Sequence, residues 1–295
     1  MSIKRSIGER VYDTLNVITM IFLAVITLYP FLYVVFASLS DAASLIRHKG
    51  LLLWPDNFQL ETYRMVFKNP VLLSSYINTI IYVVSGTTLS LLLTIFGAYT
   101  LSRKHVLWRM PITFFIVFTM WFSGGMIPLF LLVNNLGLYN SRLALILPNA
   151  ISAYNLIVMC TAFKAIPDSI EESARIDGAK DFTILFRIIV PLSIPVISVI
   201  ALFCSVGIWN SWFHAMLFLN KRSLYPLQLI LREILILNDT SGMAASAQVS
   251  QSEQVQVGET IKYATVIVAT APILTVYPFV QKYFTKGIMI GSIKE

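Results

Sequence analysis

Six long apolar segments dominate this chain, and each is long enough to cross a lipid bilayer, which takes about 20 apolar residues. Hydrophobic residues make up 57% of the 295 positions and charged residues only 13%, about half of their usual share in a soluble domain. This pattern predicts an all-α integral membrane protein. The predicted spans are residues 13–39, 71–101, 111–133, 143–163, 188–218 and 261–281.

The distribution of Lys and Arg predicts how these spans are oriented, because cytoplasmic loops of membrane proteins carry an excess of both residues. Basic residues concentrate in the N-terminal segment, the turn at 102–110, the loop at 164–187 and the C-terminal tail. We therefore expect both termini and the loop at 164–187 to be cytoplasmic. The loops at 40–70 and 219–260 then face outward, although they are basic too. The first span is too long for a signal peptide, so we expect it to be retained.

Apart from Asp13 and Lys262, which lie at the ends of the first and sixth spans, the spans contain no Asp, Glu, Lys or Arg. Ion-coupled transporters and intramembrane enzymes usually place such a group inside the bilayer, despite its energetic cost. The sequence also has no carboxylate pair for acid–base catalysis, no HExxH motif and no Walker A phosphate loop. We therefore expect a non-enzymatic chain with no metal or cofactor of its own. No run of Lys and Arg is dense enough to predict nucleic-acid binding, despite a net charge of +7.

Polar and aromatic residues in the fourth and fifth spans form a candidate solute path. Aromatic rings with neighbouring amides suit a sugar, whose C–H faces stack while its hydroxyls form hydrogen bonds. Two other interpretations stay open, because Trp near the end of a span often belongs to the interfacial belt and a buried Asn often joins two helices. The candidate residues are Asn149, Tyr154, Asn155, Trp209, Asn210 and Trp212.

The loop at 164–187, called the island below, is a charged segment between two apolar ones. Ser169 followed by Glu172 predicts a capping box that starts a helix, and Gly178 suits the left-handed position that ends one. A second helix then runs towards the next span, where Pro191 and Pro195 favour a bend. The acidic residues of the island are Asp168, Glu171, Glu172, Asp177 and Asp181.

A compact pair of helices with mixed charges between two spans favours a docking surface for another protein. Arg175, Lys180 and Arg187 accompany the acidic residues of the island. The simpler interpretation is that Glu172 only caps a helix and that Gly178 only ends it. Both structural roles are compatible with docking, so the pattern alone leaves the choice open.

The island also resembles the EAA motif of the membrane subunits of binding-protein-dependent ABC importers. That motif is Glu-Ala-Ala, a glycine after three further residues, and Ile-x-Leu-Pro after nine more. Here it stands as Glu172-Ser173-Ala174, Gly178 and Ile188-Ile189-Val190-Pro191, with Ser173 and Val190 as small departures. The segments ARIDGA, PLSIP (191–195) and YFTKGIMIGSIKE (283–295) are similar to the carbohydrate-uptake branch, and within it to maltose-type G-like permeases of oligosaccharide and polysaccharide-fragment importers.

This resemblance implies a fold, a set of partners and a location. Residues 1–295 would form a single type I ABC importer transmembrane domain, with six transmembrane helices and a cytoplasmic coupling helix, in the bacterial cytoplasmic membrane. A second homologous permease would complete the pore, and two ATP-binding cassette subunits would bind ATP and Mg²⁺. A solute-binding protein would deliver a carbohydrate from outside, and the lipid bilayer would surround the spans.

The resemblance also implies which island residues couple transport to ATP hydrolysis. In the family the motif glutamate contacts a groove on the ATPase and the glycine permits the elbow, which here implies Glu172 and Gly178. The full implied set is Glu171, Glu172, Ala174, Arg175, Asp177 and Gly178. The rival interpretations are a channel or ion-coupled carrier that works alone, and a scaffold protein of the membrane.

Overall fold

The structure is a computed structural model that describes residues 6–236, 258–276 and 278. Within these residues every regular element is helical, which confirms the predicted all-α class. The chain divides into two compact units: Met1–Pro70 with Glu233–Thr270, and Val71–Arg232 with Ala271–Glu295. The C-terminal motif at 283–295 lies outside the described residues.

The N-terminal part of the first unit contains α1 (Ile7–Ser38), α2 (Ala42–Arg47) and α3 (Glu61–Lys68). A capping box starts α1: the backbone N–H of Glu9 donates to Ser6 Oγ, and the backbone N–H of Ser6 donates to the Glu9 carboxylate. Towards the other end of α1, the ring of Tyr33 lies edge-on to that of Tyr263, with centroids 5.9 Å apart. This aromatic contact joins α1 to the helix that begins at Gly258.

The remaining helices follow in chain order and are mostly apolar. Helix α10 (Asp181–Leu192) contains a π-helical turn at Leu185–Ile189. The helices are α4 (Pro70–Ser102), α5 (Arg109–Trp121), α6 (Met126–Asn135), α7 (Leu143–Ile146), α8 (Ala153–Lys164), α9 (Asp168–Ile176), α10 (Asp181–Leu192), α11 (Ile194–Trp209), α12 (Phe213–Phe218), α13 (Leu227–Ile236) and α14 (Gly258–Val276).

Three of these helices, α1, α4 and α14, are long and apolar enough to cross a membrane. Two further pairs of helices are bent at short breaks: α5–α6 by 116° and α10–α11 by 83°. The number of candidate spans rises from three to five if each bent pair is one span. The predicted first and second spans therefore lie on single helices. The sixth begins on α14, and its residues 277 and 279–281 lie outside the described residues.

Three of the predicted spans are interrupted in the structure. The third breaks at 122–125, where Gly125 has a positive φ of 89°. The fourth is divided into α7 and α8, because Pro148 has no N–H to donate to the carbonyl four residues earlier. Helix α8 then begins at a new cap, where the side chain of Ser152 accepts a hydrogen bond from the backbone N–H of Asn155. The fifth breaks at Ser193 and again between α11 and α12.

The break at Ser193 is the bend that the two prolines predict. Pro195 has no N–H to donate to the carbonyl of Pro191, so the helical hydrogen-bond ladder is interrupted there. The axes of α10 and α11 consequently differ by 83°. The second helix of the island thus enters the following apolar helix through a sharp corner.

A hydrophobic core joins the island to the apolar helices of the second unit. It is formed where α4, α8 and α10 pack, and Phe163, Met159 and Ile184 are completely buried in it. Ala174 of α9 and Ala179 pack against the same core. Because lipid tails are as apolar as these side chains, close packing, more than transfer from water, holds such helices together in a membrane.

Candidate functional site

The first island helix, α9, begins two residues earlier than predicted and without a capping box. Pro167 occupies the N-cap position, with φ −58° and ψ 134°, and makes no side-chain cap hydrogen bond. The predicted cap at Ser169 is therefore wrong, because Ser169 lies within the first turn. The backbone of Pro167 is already extended, and the carboxylate of Asp168 accepts a hydrogen bond from Lys104 Nζ at 2.7 Å. This bond lowers the pKa of Asp168.

The predicted helix end at Gly178 is confirmed. Its φ of +83° lies in the left-handed region. The N–H of Ala179 donates to the carbonyl of Ala174 at 2.9 Å, and the N–H of Gly178 donates to that of Arg175 at 3.0 Å. These two bonds form a Schellman motif, which satisfies the last carbonyls of the helix. The elbow is therefore a hydrogen-bonded turn.

Glu171 is the buried anchor of the island. Its side chain is 9% exposed and accepts hydrogen bonds from Arg103 Nη1 and, at 2.9 Å, from Arg175 Nη2. The hydroxyl of Tyr99 also lies 3.4 Å from its carboxylate, and the guanidinium of Arg103 stacks over the Tyr99 ring at 4.8 Å. Since Tyr99 and Arg103 lie at the end of α4, this cluster fastens α9 to an apolar helix.

Arg175 bridges the two helices of the island across the elbow. Its Nη2 donates to Glu171 and, at 2.6 Å, to Asp181 Oδ1 at the start of α10. These hydrogen bonds raise the pKa of Arg175. On α10 the rings of Phe182 and Phe186 lie edge-on to Phe96 of α4, at 6.2 and 5.9 Å. Both island helices are thus braced against α4.

The face of the island that points away from this brace is exposed. Glu172 and Asp177 are both exposed, and Ile176 retains 86% of its accessible surface. A large apolar side chain with two neighbouring carboxylates is suited to contact with another protein. The adjacent residues Glu171 and Glu172 therefore have different environments: the carboxylate of Glu171 holds the island in place, and that of Glu172 faces outward.

A cavity of about 450 Å³ lies among α4, α8 and α11, and its lining combines hydrogen-bonding side chains with a larger apolar surface. It is called the polar cavity below because of those hydrogen-bonding side chains. Asn149 and Asn155, both predicted for the solute path, line it, and Asn149 Nδ2 lies 3.4 Å from His214 Nδ1. Sequence reasoning missed other hydrogen-bonding residues of the lining. They are Thr79, Tyr82, Ser90, Ser152 and Ser211.

The other four predicted path residues do not line this cavity. Trp209 is 7% exposed and packs edge-on against Tyr76, with centroids 5.8 Å apart. Trp212 carries the guanidinium of Arg232 over its ring at 4.7 Å. Tyr154 is 57% exposed, and Asn210 is exposed as well. The structure therefore brings together the two predicted amides of the fourth segment but none of the predicted aromatic residues.

A signal for the missed residues was present on α4. Buried polar or small residues recur along it at intervals of three or four, which is the spacing of one helix face. Thr79 and Ser90 of this face reach the cavity. The set is Ser75, Asn78, Thr79, Tyr82, Gly86, Ser90 and Thr94.

Within residues 6–236, 258–276 and 278, no group of three His, Cys, Asp or Glu side chains is placed to hold a metal ion.

Comparison with known proteins places almost the whole chain in one family. Residues 3–290 match the profile described as binding-protein-dependent transport system inner membrane component. The chain is 43% identical to the polygalacturonan/rhamnogalacturonan transport system permease protein YtcP of Bacillus subtilis, over 97% of this chain and 99% of that protein. It is 26% identical to the diacetylchitobiose uptake system permease protein NgcG of Streptomyces coelicolor, over 97% and 91% of the two chains.

A solved structure has a similar fold. It is the crystal structure of a bacterial ABC transporter involved in the import of the acidic polysaccharide alginate. The TM-score is 0.87 at 33% sequence identity, and the match covers 96% of this chain and 100% of the other.

Proposed function

Since the chain belongs to the family of binding-protein-dependent transport system inner membrane components and is a non-catalytic permease subunit of an ABC importer, we propose that the island is its ATPase-coupling element and that the polar cavity lies on its solute path. The observation that carries this proposal is the division of the island into a buried brace, centred on Glu171, and an exposed outer face with Glu172 and Asp177.

The geometry of the island supports coupling because a docking element must transmit force. The ion pairs of Glu171 and the Schellman motif at Gly178 fix α9 relative to α10, and the contacts of Phe96 fix α10 relative to α4. A partner that moves the island therefore moves apolar helices with it. In this proposal Glu172 and Asp177 contact the ATPase, while Glu171, Ala174 and Arg175 maintain the shape that presents them.

The proposed assembly contains a second homologous permease, two ATP-binding cassette subunits with ATP and Mg²⁺, and a solute-binding protein on the outside. In the proposed topology six transmembrane segments cross the cytoplasmic membrane, and both termini and the island are cytoplasmic. The excess of Lys and Arg in these segments supports that orientation. Transport then proceeds by alternating access, in which groups of helices rock as fairly rigid bodies.

The proposed substrate is an oligosaccharide or polysaccharide fragment. Hydroxyl and amide groups of Ser90, Asn149, Asn155 and Ser211 line the cavity, and such groups suit the hydroxyls of a sugar. Relatives named for polygalacturonan, rhamnogalacturonan and diacetylchitobiose transport, together with the alginate importer, support a carbohydrate.

Co-purification followed by reconstitution tests this function. The tagged full-length chain, expressed in its own host, is expected to bring with it a nucleotide-binding subunit and a second permease. In proteoliposomes that complex should hydrolyse ATP faster when the solute-binding protein and its sugar are added. A chain that purifies alone and still conducts solute would instead establish the channel or ion-coupled carrier, and a complex without solute-stimulated hydrolysis would favour a scaffold.

A further inference from the structure

A second cavity of the same unit, about 500 Å³ in volume, is strongly basic. It lies beside the first turn of α9, and four cationic side chains line it: Arg103, Lys104, Arg109 and Lys164. Asp168 is the acidic residue among its lining residues. The coupling surface and the solute path do not use this cavity, so its charge requires a separate explanation.

The cations of this cavity are incompletely neutralised within the described part of the chain. Lys104 pairs with Asp168 and Arg103 Nη1 with Glu171. Arg103 is 8% exposed, yet its Nε and Nη2 have no hydrogen-bond partner among the described residues. Arg109 and Lys164 have no ion pair there either. Buried guanidinium N–H groups without an acceptor are costly, which points to an anionic ligand with several acceptor oxygens.

The cavity lies where three apolar helices end. Helix α4 ends at Ser102, α5 begins at Arg109 and α8 ends at Lys164. In the turn between α4 and α5, Leu107 is 81% exposed and Trp108 is 75% exposed. An exposed Trp beside Lys and Arg at the end of a span is typical of the membrane–water interface, at the depth of lipid headgroups.

We propose that this cavity binds a phosphate group, and that its occupant is the headgroup phosphate of an anionic phospholipid. Basic pockets between transmembrane helices on the cytoplasmic side are suited to such headgroups. The exposed side chains of Leu107 and Trp108 would lie beside the acyl chains. The inference depends on the proposed function only for the side of the membrane on which the cavity lies. Free inorganic phosphate has the same chemistry, and the experiment distinguishes the two sources.

Native mass spectrometry of the full-length chain, released from detergent with whichever subunits co-purify, tests this site. Phosphatidylglycerol is the probe, phosphatidylcholine the zwitterionic control and sodium phosphate the competitor. Arg109→Gln and Lys164→Gln should each weaken the phosphatidylglycerol adduct about fivefold, as expected for one cation near an anionic lipid. Lys180→Gln, the matched control, removes the same charge from an island position outside the cavity and should change the adduct less than twofold.

The outcomes separate the alternatives. Selective phosphatidylglycerol binding that the two cavity variants reduce supports the lipid site, while displacement of the adduct by millimolar phosphate would support the cavity but assign it to the free anion. Equal binding of both lipids, or no response to the variants, would overturn the proposal. If the Arg109→Gln variant no longer co-purified with the nucleotide-binding subunit but kept an unchanged lipid adduct, Arg109 would contact a protein instead. That result would also overturn the proposal. Binding is measured without ATP or sugar, so its failure leaves the proposed transport function unaffected.

Discussion

Arg103 donates to the carboxylate of Glu171 across 68 positions of sequence, and each of the two side chains is only 9% exposed. Removing one partner of a buried ion pair leaves the other charge uncompensated, which costs about 3–5 kcal/mol. We therefore expect Glu171→Gln to lower the free energy of unfolding by that amount. Denaturant unfolding in detergent micelles, followed by tryptophan fluorescence, measures it.

The adjacent carboxylate provides the matched control for this experiment. Glu172 is exposed, so Glu172→Gln should leave the free energy of unfolding within about 0.5 kcal/mol of the wild-type value. The same variant should weaken the affinity of the co-purifying ATPase subunit, as measured by its retention on the tagged chain. Equal destabilisation by the two substitutions would contradict the division between a buried brace and an exposed contact.

Gly178→Val should impair coupling without preventing insertion. Gly178 has a φ of +83°, which a β-branched residue resists, at a cost of about 1–2 kcal/mol. A Cβ at this position would meet nothing within 4 Å, so the effect comes from the backbone alone. We expect reduced solute-stimulated ATPase activity and uptake in proteoliposomes, with normal amounts of protein in the membrane.

Two variants accompany this test. Gly178→Asn should retain most of the activity, because Asn tolerates the left-handed region. Gly137→Val places the same strain at a φ of +68° in a position that also has open space around its Cβ, but outside the island. If Gly137→Val impaired coupling as strongly as Gly178→Val, the elbow would have no special role.

Gly207→Leu should block the solute path while preserving the fold. Gly207 lines the polar cavity from α11, and a Cβ there would meet nothing within 4 Å. Leu is also a better helix former than Gly by up to about 1 kcal/mol, so stability should be equal or higher. We expect uptake of radiolabelled sugar to fall at least tenfold. Gly8→Leu, on α1 and outside the cavity lining, is the control that should transport normally.

The pair of Lys104 and Asp168 gives a prediction about pH. The hydrogen bond from Lys104 lowers the pKa of Asp168 in the folded state. The pair therefore adds stability above the ordinary carboxyl pKa of about 4, and this stability is lost as the pH falls through the lower, folded-state pKa. The difference in Tm between the wild type and Asp168→Asn should be constant above about pH 5 and should vanish in stronger acid. A difference that increases towards low pH would disprove this assignment.

The island shows which features are predictable from local sequence. The stop at Gly178 follows from a conformational preference of one residue, and the structure confirms it. The capping box at Ser169 is wrong because the extended Pro167 sets the helix start first. The burial of Glu171 depends on Arg103, 68 positions away, and no local pattern reveals such a contact.

The proposed solute path shows a second limit of sequence reasoning. Asn149 and Asn155 are predictable because an amide within an apolar segment is conspicuous. Trp209 is equally conspicuous, but it packs against Tyr76, since aromatic rings serve helix packing as well as ligand contact. The polar residues of α4 recur at a regular spacing, so an analysis of helix faces in the sequence would find them. Ser211 and His214, in contrast, reach the cavity because the helix breaks after α11, which that spacing does not reveal.

The corner at Ser193 would change the direction of a force that passes from α10 to α11. Because α10 and α11 meet at 83°, a push along the axis of α10 is a sideways push on the first turn of α11. The 16 residues of α11 extend over about 24 Å, so a tilt of about 5° displaces its far end by about 2 Å. Cys204, Gly207 and Ile208, which line the polar cavity, lie towards that far end. In the proposed transport cycle, a straight helix would move along its own axis, so the cavity wall would slide past the solute, whereas the corner would swing that wall away from it.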